Sequence, residues 1–255
     1  MDGREAYEAV TWALEAGYRH IDSAEWYKNE RAVGTAIQHF LAAHALPRSA
    51  VFYATKLKLN AGYAAASAAI ARSVDECGLG YVDLYLVHGP LGGPQMRRES
   101  WRACVDAKKK GLVKSIGVST FGVRHLREIL ELGSESEVPA VHQIDLHPFM
   151  ARREIVALCQ EHGILLEAWA PLVRALRFED PTLTAIAEKH RKEPAQILLR
   201  YSLQKGYVPL PKSASRKRIV ANTHIFDFAL APDEMGALDA LDEHLVTDWD
   251  PTECD

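Results

Sequence analysis

The chain has 255 residues, of which 48% are hydrophobic, and a formal net charge of −4 at pH 7. This is enough apolar material for one large core, and we expect residues 1–255 to form a single domain. The two signs of charge are interspersed, which excludes the basic surface that nucleic-acid binding requires. No apolar run reaches the length of a membrane span, and the first residues are too polar for a signal peptide.

The cysteines give information about the cellular compartment. Cys77, Cys104, Cys159 and Cys254 are far apart in the chain, and no C-x-x-C pair occurs among them. This spacing favours reduced thiols over a disulfide framework or a zinc site. We therefore predict a cytoplasmic protein.

Apolar stretches alternate with segments of helical period along the whole chain. They are rich in Val, Ile, Leu and Tyr without strict alternation, as is typical of parallel strands that are covered on both faces. In chain order the predicted strands are residues 18–22, 51–56, 82–88, 114–119, 140–146, 165–170 and 207–212. Repetition at roughly thirty residues per unit predicts an α/β fold of the (β/α)8 TIM-barrel type.

A complete barrel of this type has eight strands, but the sequence offers seven. Residues 1–16 already have helical period, with Tyr7, Val10 and Leu14 on one face. A barrel that lacks one strand leaves two others with unpaired backbone groups, which is costly and prone to aggregation. We therefore expect the natural protein to begin earlier than this chain, with a rearranged edge as the alternative.

Polar residues stand at the ends of three consecutive predicted strands. Asp22, Lys56 and His88 end the first, second and third of them. Tyr27 follows Asp22 by five residues, in the loop that leads to the next helix. Since the carboxyl ends of the strands meet at one mouth of a parallel barrel, we expect these side chains to converge.

Together the four groups could transfer a proton. A phenol has an ordinary pKa of about 10, so it exchanges protons poorly at neutral pH. We predict that the Lys56 ammonium lowers the pKa of Tyr27 and that Asp22 keeps Lys56 charged and oriented. His88 is then placed to hydrogen-bond the reacting oxygen from the other side.

Each residue also has a purely structural interpretation. Asp22, together with Ser23, could cap the following helix. Tyr27 by itself would more often be a packed tyrosine than an acid, and a lysine or histidine at a strand end often has a structural role. The joint pattern at successive strand ends favours the chemical interpretation.

This pattern resembles the catalytic tetrad of the aldo-keto reductases in order and in context, and the resemblance covers essentially the whole chain. The matching segments are Asp22-x-Ala-x-x-Tyr27-x-Asn-Glu30, Ala-Thr-Lys56, Leu-Val-His88-x-Pro90, Gly111-Leu-Val-Lys-Ser-Ile-Gly-Val-Ser119, Gln143-Ile-Asp-Leu-His147-Pro148, Ala170-Pro171-Leu172, Pro211-Lys212-Ser213 and Asp248-Trp-Asp-Pro251. The short loop after Val87 and the terminal Asp-Trp-Asp-Pro segment are similar to those of a fungal branch of the family.

The resemblance implies an oxidoreductase that reduces an aldehyde or ketone to an alcohol with NADPH. In the family, hydride passes from the cofactor to the carbonyl carbon while the tyrosine, here Tyr27, protonates the oxygen. Lys56 and Asp22 would tune Tyr27, and His88 would orient the carbonyl. The implied partner is a small-molecule carbonyl substrate, with no nucleic acid and no membrane, and monomers are usual among such proteins.

The resemblance also implies a set of cofactor-binding residues. Asp22, Ser119 and Gln143 match residues at the nicotinamide end, and Trp169 stands where an aromatic ring stacks on nicotinamide. Lys212, Ser213 and Arg218 match the group around the adenosine 2′-phosphate, and two cations with a hydroxyl suit a dianion. The remaining matches are Ala170 and Leu172 at the pyrophosphate and Asn222 at the adenine. These cations could instead be only a solvated basic helix start, which is the ordinary interpretation of a charge run.

The chain departs from the family pattern at several positions. Thr120 replaces an asparagine that helps to hold the carboxamide, and Ala221 replaces an acidic residue near the adenine. Gly89 follows His88 where many members have tryptophan, so we expect one wall of the substrate pocket to be missing. Trp26, beside Tyr27, is expected to line that pocket, although a packed tryptophan is an equal alternative.

Two other functions fit parts of the sequence. A metal-dependent hydrolase would use His20, Asp22, His88, His142 and Asp145 as ligands, but the last predicted strand ends in Lys212 and Ser213 rather than in a carboxylate. A barrel that binds NADP(H) without turnover is the second alternative, motivated by the absent strand and by Thr120. Gly78-Leu-Gly80 precedes a strand and lacks a third glycine, so the sequence contains no Rossmann fingerprint.

Overall fold

The computed structural model of the chain describes residues 1–132 and 137–255. Within these ranges seven strands form one sheet in chain order, and every neighbouring pair is parallel. The strands are β1 (His20–Asp22), β2 (Phe52–Leu57), β3 (Val82–Val87), β4 (Val113–Ser119), β5 (Val141–Asp145), β6 (Leu165–Trp169) and β7 (Val208–Leu210). All seven predicted strands and the α/β class are confirmed, although β1 and β7 are shorter than the apolar runs that contain them.

Helices connect the strands and cover the outside of the sheet. They are α1 (Gly3–Glu15), α2 (Glu30–Ala43), α3 (Tyr63–Cys77), α4 (Gly93–Lys109), α5 (Val123–Leu130), α6 (Arg153–Glu161), α7 (Pro181–His190), α8 (Pro194–Gln204), α9 (Arg216–Ala221) and α10 (Pro232–Asp239). Pro194 and Pro232 open α8 and α10, because a proline at the first helical position loses no hydrogen bond. Over the ranges that the structure describes, no helix has both the length and the apolar character needed to cross a bilayer.

The buried apolar residues of the described ranges form three clusters. The largest lies between the sheet and the helices and includes Trp101, Ile37 and Ile70, all without solvent exposure. The second includes Leu183 of α7 and Ile197 of α8, and the third is the small group Ala54, Leu84, Leu86 and Val141. Gly117 in β4 is required here, because a Cβ at this position would meet the Val141 carbonyl oxygen at 2.3 Å. Close approach of the two backbones therefore needs a residue without a side chain.

The two ends of the sheet approach each other. Hydrogen bonding joins each strand to the next, and β1 and β7 are not paired within the described ranges. The helices next to them do meet, since Tyr18 Oη donates to the Ile219 carbonyl at 3.3 Å and Arg216 lies 3.3 Å from Glu15. The sheet is thus curled into a nearly closed barrel, with the carboxyl ends of all strands at one mouth.

Candidate active site

Four predicted catalytic residues lie at the carboxyl ends of β1, β2 and β3. Asp22 is the last residue of β1, Lys56 is the penultimate residue of β2, and His88 follows β3 directly. Tyr27 ends a short 3-10 turn, Glu25–Tyr27, in the loop after β1. The barrel brings them together as the strand order predicted, because parallel neighbours place successive strand ends side by side.

Lys56 is the buried centre of this cluster. Its ammonium donates hydrogen bonds to Asp22 Oδ2 at 2.5 Å and to the Ser23 carbonyl oxygen at 2.7 Å, and its side chain has no solvent exposure. Burial alone would lower the pKa of Lys56, but the negative charge of Asp22 offsets this and the pKa is raised overall. The ammonium therefore stays charged. The Asp22 carboxylate binds Lys56 and does not cap a helix.

Tyr27 lies beside both Lys56 and His88. The Lys56 Nζ is 5.3 Å from the centre of the Tyr27 ring, and the His88 ring meets it edge to face with centres 5.8 Å apart. Lys56 also acts on the Tyr27 side chain as a hydrogen-bond partner.

The pKa of Tyr27 corrects one expectation. Burial of the hydroxyl raises the pKa above its ordinary value, and the lowering effect of the Lys56 ammonium does not overcome it. Part of Tyr27 remains accessible to solvent, with 44% of its surface exposed. The net direction is opposite to the one predicted. Tyr27 therefore retains its proton at neutral pH, which is the state that a proton donor needs.

His88 is held by its backbone and is uncharged. Its N–H donates to the Leu57 carbonyl at 3.2 Å, and its carbonyl accepts from Thr120 Oγ1 at 3.0 Å. Burial, followed by the nearby Lys56 charge, lowers the pKa of His88 to about 3. Its Nδ1 is buried and has no hydrogen-bond partner among the described residues. A neutral imidazole of this kind can donate one N–H to a carbonyl oxygen.

Gln143 joins the cluster from β5 and reveals a residue that sequence reasoning missed. Its Nε2 donates to Asp22 Oδ1 at 3.0 Å and to Glu167 Oε2 at 2.9 Å. Burial, followed by the charge of Asp22, raises the pKa of Glu167 to about 7. The signal in the sequence was a lone carboxylate inside the otherwise apolar strand β6, two residues before Trp169.

The pocket wall beside His88 is present, contrary to expectation. A Cβ built on Gly89 would lie 2.6 Å from the Trp249 ring, so the indole of the C-terminal segment fills the space that we predicted to be empty. Ion pairs of Asp248 with Arg174 and of Asp250 with Arg152 hold this segment across the mouth. Trp249, which is distant in sequence, thus occupies the place of the tryptophan that is missing after His88.

Trp26 lies on the opposite part of the mouth. Its Nε1 donates to the Lys58 carbonyl at 2.9 Å, and the Lys58 ammonium is 4.4 Å from the ring. Half of its surface, 49%, is exposed, so it is a rim residue rather than a core tryptophan. Its position is compatible with the predicted substrate contact.

The predicted nicotinamide positions lie on the strand ends that follow. Ser119 ends β4 and is buried, and Trp169 ends β6 and is half-buried. Thr120 is also buried, and its hydroxyl donates to the His88 carbonyl oxygen.

The loop after β6 has an unusual backbone. Ala170, Val173, Arg174 and Ala175 all have left-handed φ angles between 48° and 64°. A β-branched residue such as Val173 is rarely found there, and such strain is concentrated at ligand clamps and active sites. This segment includes Ala170 and Leu172, which are predicted to wrap a pyrophosphate. Its strained backbone is of the kind found in ligand-binding loops.

The residues predicted to bind the adenosine 2′-phosphate lie after β7. Arg218 Nε donates to Ser213 Oγ at 3.3 Å, which brings the cation and the hydroxyl together. Lys212 is exposed, and neither Lys212 nor Arg218 makes an ion pair with a carboxylate of the described residues. Asn222 follows α9 directly, at its C-terminal cap, and is buried.

The residues of the alternative metal site are dispersed. His142 accepts a hydrogen bond from the Phe121 N–H at 3.1 Å and lies 3.5 Å from Cys159 Sγ, away from the cluster at the mouth. His20 lies 3.7 Å from Glu167, and Asp22 is bonded to Lys56. In the described ranges no three His, Cys, Asp or Glu residues gather as metal ligands would.

Comparisons with known proteins agree with this geometry. The sequence model of the Aldo/keto reductase family matches residues 1–243. An uncharacterised oxidoreductase of Schizosaccharomyces pombe is 42% identical over 96% of this chain and 88% of its own. The glyoxal reductase of Bacillus subtilis is 41% identical over 95% of this chain and 85% of its own.

Solved structures give the same result. The aldo/keto reductase from Brucella melitensis superposes with a TM-score of 0.89 at 41% identity, covering 95% of this chain and 90% of its own. An aldo-keto reductase from a deep-sea metagenome library has a TM-score of 0.93 at 34% identity, covering 100% and 93%. The chain described here belongs to the aldo/keto reductase family of oxidoreductases.

Proposed function

We propose that this chain reduces the carbonyl group of an aldehyde or ketone to an alcohol, with NADPH as the reductant and Tyr27 as the proton donor. The observation that carries the proposal is the cluster of Tyr27, Lys56, Asp22 and His88 at the barrel mouth. Its neutral phenol, buried ammonium and neutral imidazole surround one site that a carbonyl oxygen can occupy.

The residues of the mouth fit a nicotinamide cofactor. Gln143 and Ser119 offer an amide and a hydroxyl to a carboxamide, and Trp169 offers a flat ring. At the other end, Lys212 and Arg218 carry positive charge that no described carboxylate neutralises. Two cations and the Ser213 hydroxyl suit a dianionic phosphate, which favours NADPH over NADH. When bound, the cofactor supplies the hydride.

The protein residues would move and stabilise the proton. Tyr27 keeps its proton at neutral pH and gives it to the carbonyl oxygen, while the neutral His88 donates a hydrogen bond to the same oxygen. The phenolate left on Tyr27 is then stabilised by the Lys56 ammonium. Asp22 keeps that ammonium charged, so the positive charge is in place before the reaction begins.

Replacing Tyr27 by phenylalanine tests the proposal. Tyr27→Phe should reduce the turnover of carbonyl substrates at least about 100-fold, because it removes the general acid and little else. Binding of NADPH should stay within about twofold of the original chain. The assay is NADPH oxidation against a panel of sugars, aromatic aldehydes, keto esters and glyoxal, the last because one relative is named a glyoxal reductase.

Tyr63→Phe is the matched control, since its hydroxyl bonds to Asp106 outside the mouth. Turnover by Tyr27→Phe at the level of this control would contradict the assigned proton donor. If the unaltered chain binds NADPH but oxidises it with no carbonyl of the panel, the alternative of a non-catalytic NADP(H)-binding barrel is favoured. The monomeric state and the cytoplasmic compartment remain predictions.

A further inference from the structure

Glu167 is a buried carboxylate without a role in the proton transfer proposed above. It lies in the middle of β6, with 3% of its surface exposed. It faces Gln143 on β5, whose Nε2 is 2.9 Å from its Oε2, and His20 on β1, whose Nε2 is 3.7 Å from its Oε1. A buried carboxylate is costly unless its partners require it, so its position needs an explanation.

The hydrogen bonds of Gln143 explain why a carboxylate is buried at this position. An amide nitrogen carries two hydrogens, and those of Gln143 are directed at two carboxylates, Asp22 and Glu167. Rotating the amide by half a turn would place its oxygen against both carboxylate groups. Two acceptors therefore select one of the two amide orientations, and the side-chain oxygen Oε1 is left as the atom that can accept from a ligand.

We propose that Glu167 is a positioning residue that fixes the amide of Gln143, so that this side chain offers its oxygen to the carboxamide N–H of a nicotinamide. The inference rests on the proposed function, because it assigns a purpose to a contact with that cofactor. Asp22 accepts one of the two amide hydrogens and Glu167 accepts the other, so loss of Glu167 removes half of the interactions that select this orientation.

The charge of Glu167 should matter to this arrangement. The groups that face it are His20 and Asp22 from β1, Lys56 from β2 and Gln143 from β5. Burial, followed by the Asp22 charge, raises the pKa of Glu167 to about 7. A protonated carboxyl group can donate to an amide oxygen as well as accept. Below this pH, the second amide orientation is therefore no longer excluded.

A pair of cofactor probes tests the proposal without any turnover. The first probe is NADP⁺, and the second is its 3-acetylpyridine analogue, in which a methyl group replaces the carboxamide NH₂. Dissociation constants are measured calorimetrically at pH 8. The original chain should bind NADP⁺ about tenfold more tightly than the analogue, since a hydrogen bond of this kind contributes roughly that factor.

Substitution of Glu167 should remove this discrimination. In Glu167→Leu the ratio of the two dissociation constants should fall to about twofold, because only the bond to Asp22 still selects the orientation of the Gln143 amide. Glu167→Gln keeps an acceptor and should recover an intermediate ratio. Glu30→Leu is the control, because Glu30 is also a buried carboxylate but is bonded to Thr55 and makes no contact with Gln143. Its ratio should remain at about ten.

The pH dependence is a second and independent measurement. Between pH 8 and pH 6 the ratio for the original chain should decrease about threefold, whereas in Glu167→Gln it should stay constant. A ratio that does not change with pH would show that Glu167 titrates outside this window. Equal ratios at pH 8 in the original chain and in a folded Glu167→Leu, or in the original chain and Glu167→Gln if Glu167→Leu does not fold, would overturn the proposal.

Failure of the proposed function is recognised separately. A chain that does not bind NADP⁺ at all overturns both the cofactor assignment and the role of Glu167. A chain that binds both probes with the expected ratio, yet reduces no carbonyl of the panel, leaves the role of Glu167 supported and contradicts only the proposed reaction.

Discussion

The barrel interior and the rim after β7 both carry charge, but they hold it differently. In the interior, Lys56 has no exposed side-chain surface and is bonded to Asp22 at 2.5 Å. At the rim, Lys212 and Arg218 are exposed, and Arg218 donates a hydrogen bond to Ser213 at 3.3 Å. The interior charges are paired before any ligand arrives, whereas the rim cations are unpaired among the described residues.

The buried, paired charges and the exposed, unpaired cations are suited to different functions. A fixed and dry charge can stabilise a transition state because little reorganisation is needed during the reaction. An exposed cation contributes less to stability and is screened by salt, but it can still attract and select an anion. We therefore expect substitutions in the interior to affect turnover and folding together, and substitutions at the rim to affect cofactor choice alone.

The largest effect should come from Lys56→Met. The substitution leaves Asp22 without its counter-charge, so the free energy of unfolding should fall by about 3 kcal/mol, and turnover should fall at least about 100-fold. Denaturant unfolding and steady-state kinetics measure the two effects. Lys110→Met, at an exposed site after α4, is the control and should change neither.

The double variant Asp22→Asn with Lys56→Met sharpens this prediction. Because no unpaired charge remains, its unfolding free energy should be higher than that of Lys56→Met alone. An unfolding free energy below that of the single variant would show that the buried pair does not explain the loss.

The second effect is a pH dependence of stability that belongs to the interior alone. The pKa of Glu167 is raised from an ordinary 4.5 to about 7 in the folded chain, so the folded state binds more protons between these values. The unfolding free energy should therefore fall as pH rises through this window, by up to about 3 kcal/mol, and level off above it.

Glu167→Gln cannot titrate at this position and should lack that component. Its stability relative to the original chain should consequently increase from pH 4.5 to pH 7, measured by urea unfolding at a series of pH values. A constant difference across this range would mean that Glu167 titrates near its ordinary value. No such window is expected from substitutions of the exposed rim cations.

At the rim, the double variant Lys212→Ala with Arg218→Ala should weaken NADPH binding about tenfold or more and NADH binding by less than about twofold. Only NADPH has the 2′-phosphate that these cations are proposed to contact. The NADPH effect should shrink at high salt, as expected for exposed charges. Arg216→Ala is a close control, since its guanidinium is paired with Glu15. Equal losses for both cofactors would contradict the assignment.

The smallest effect is expected at the junction of β3 with the C-terminal segment. In Gly89→Ala the new methyl group would lie 2.6 Å from the Trp249 ring, which must move outward. Because this indole is 41% exposed it can shift, and the kcat/KM ratio of bulky to small carbonyl substrates should rise about threefold. Gly236→Ala, where no atom lies within 4 Å, is the control and should leave the ratio unchanged.

Much of the fold could be predicted from local patterns. Each strand is recognisable in the sequence as an apolar run between helical segments. The convergence of the polar residues at the strand ends, such as Asp22 and Lys56, then follows from the geometry of parallel strands. The direction of the pKa shift of Tyr27 could not be obtained in this way. It depends on how deeply the hydroxyl is buried, and burial is a property of the assembled mouth.

The sequence by itself determined the seven parallel strands, their order and the four polar groups at their carboxyl ends, because periodicity and strand direction are local properties. Only the tertiary structure decided that Trp249 fills the space beside Gly89, some 160 residues away in sequence. It alone also placed Glu167 against Gln143. Such contacts depend on how the chain closes on itself in three dimensions, and no local pattern of residue types encodes which distant side chain will arrive.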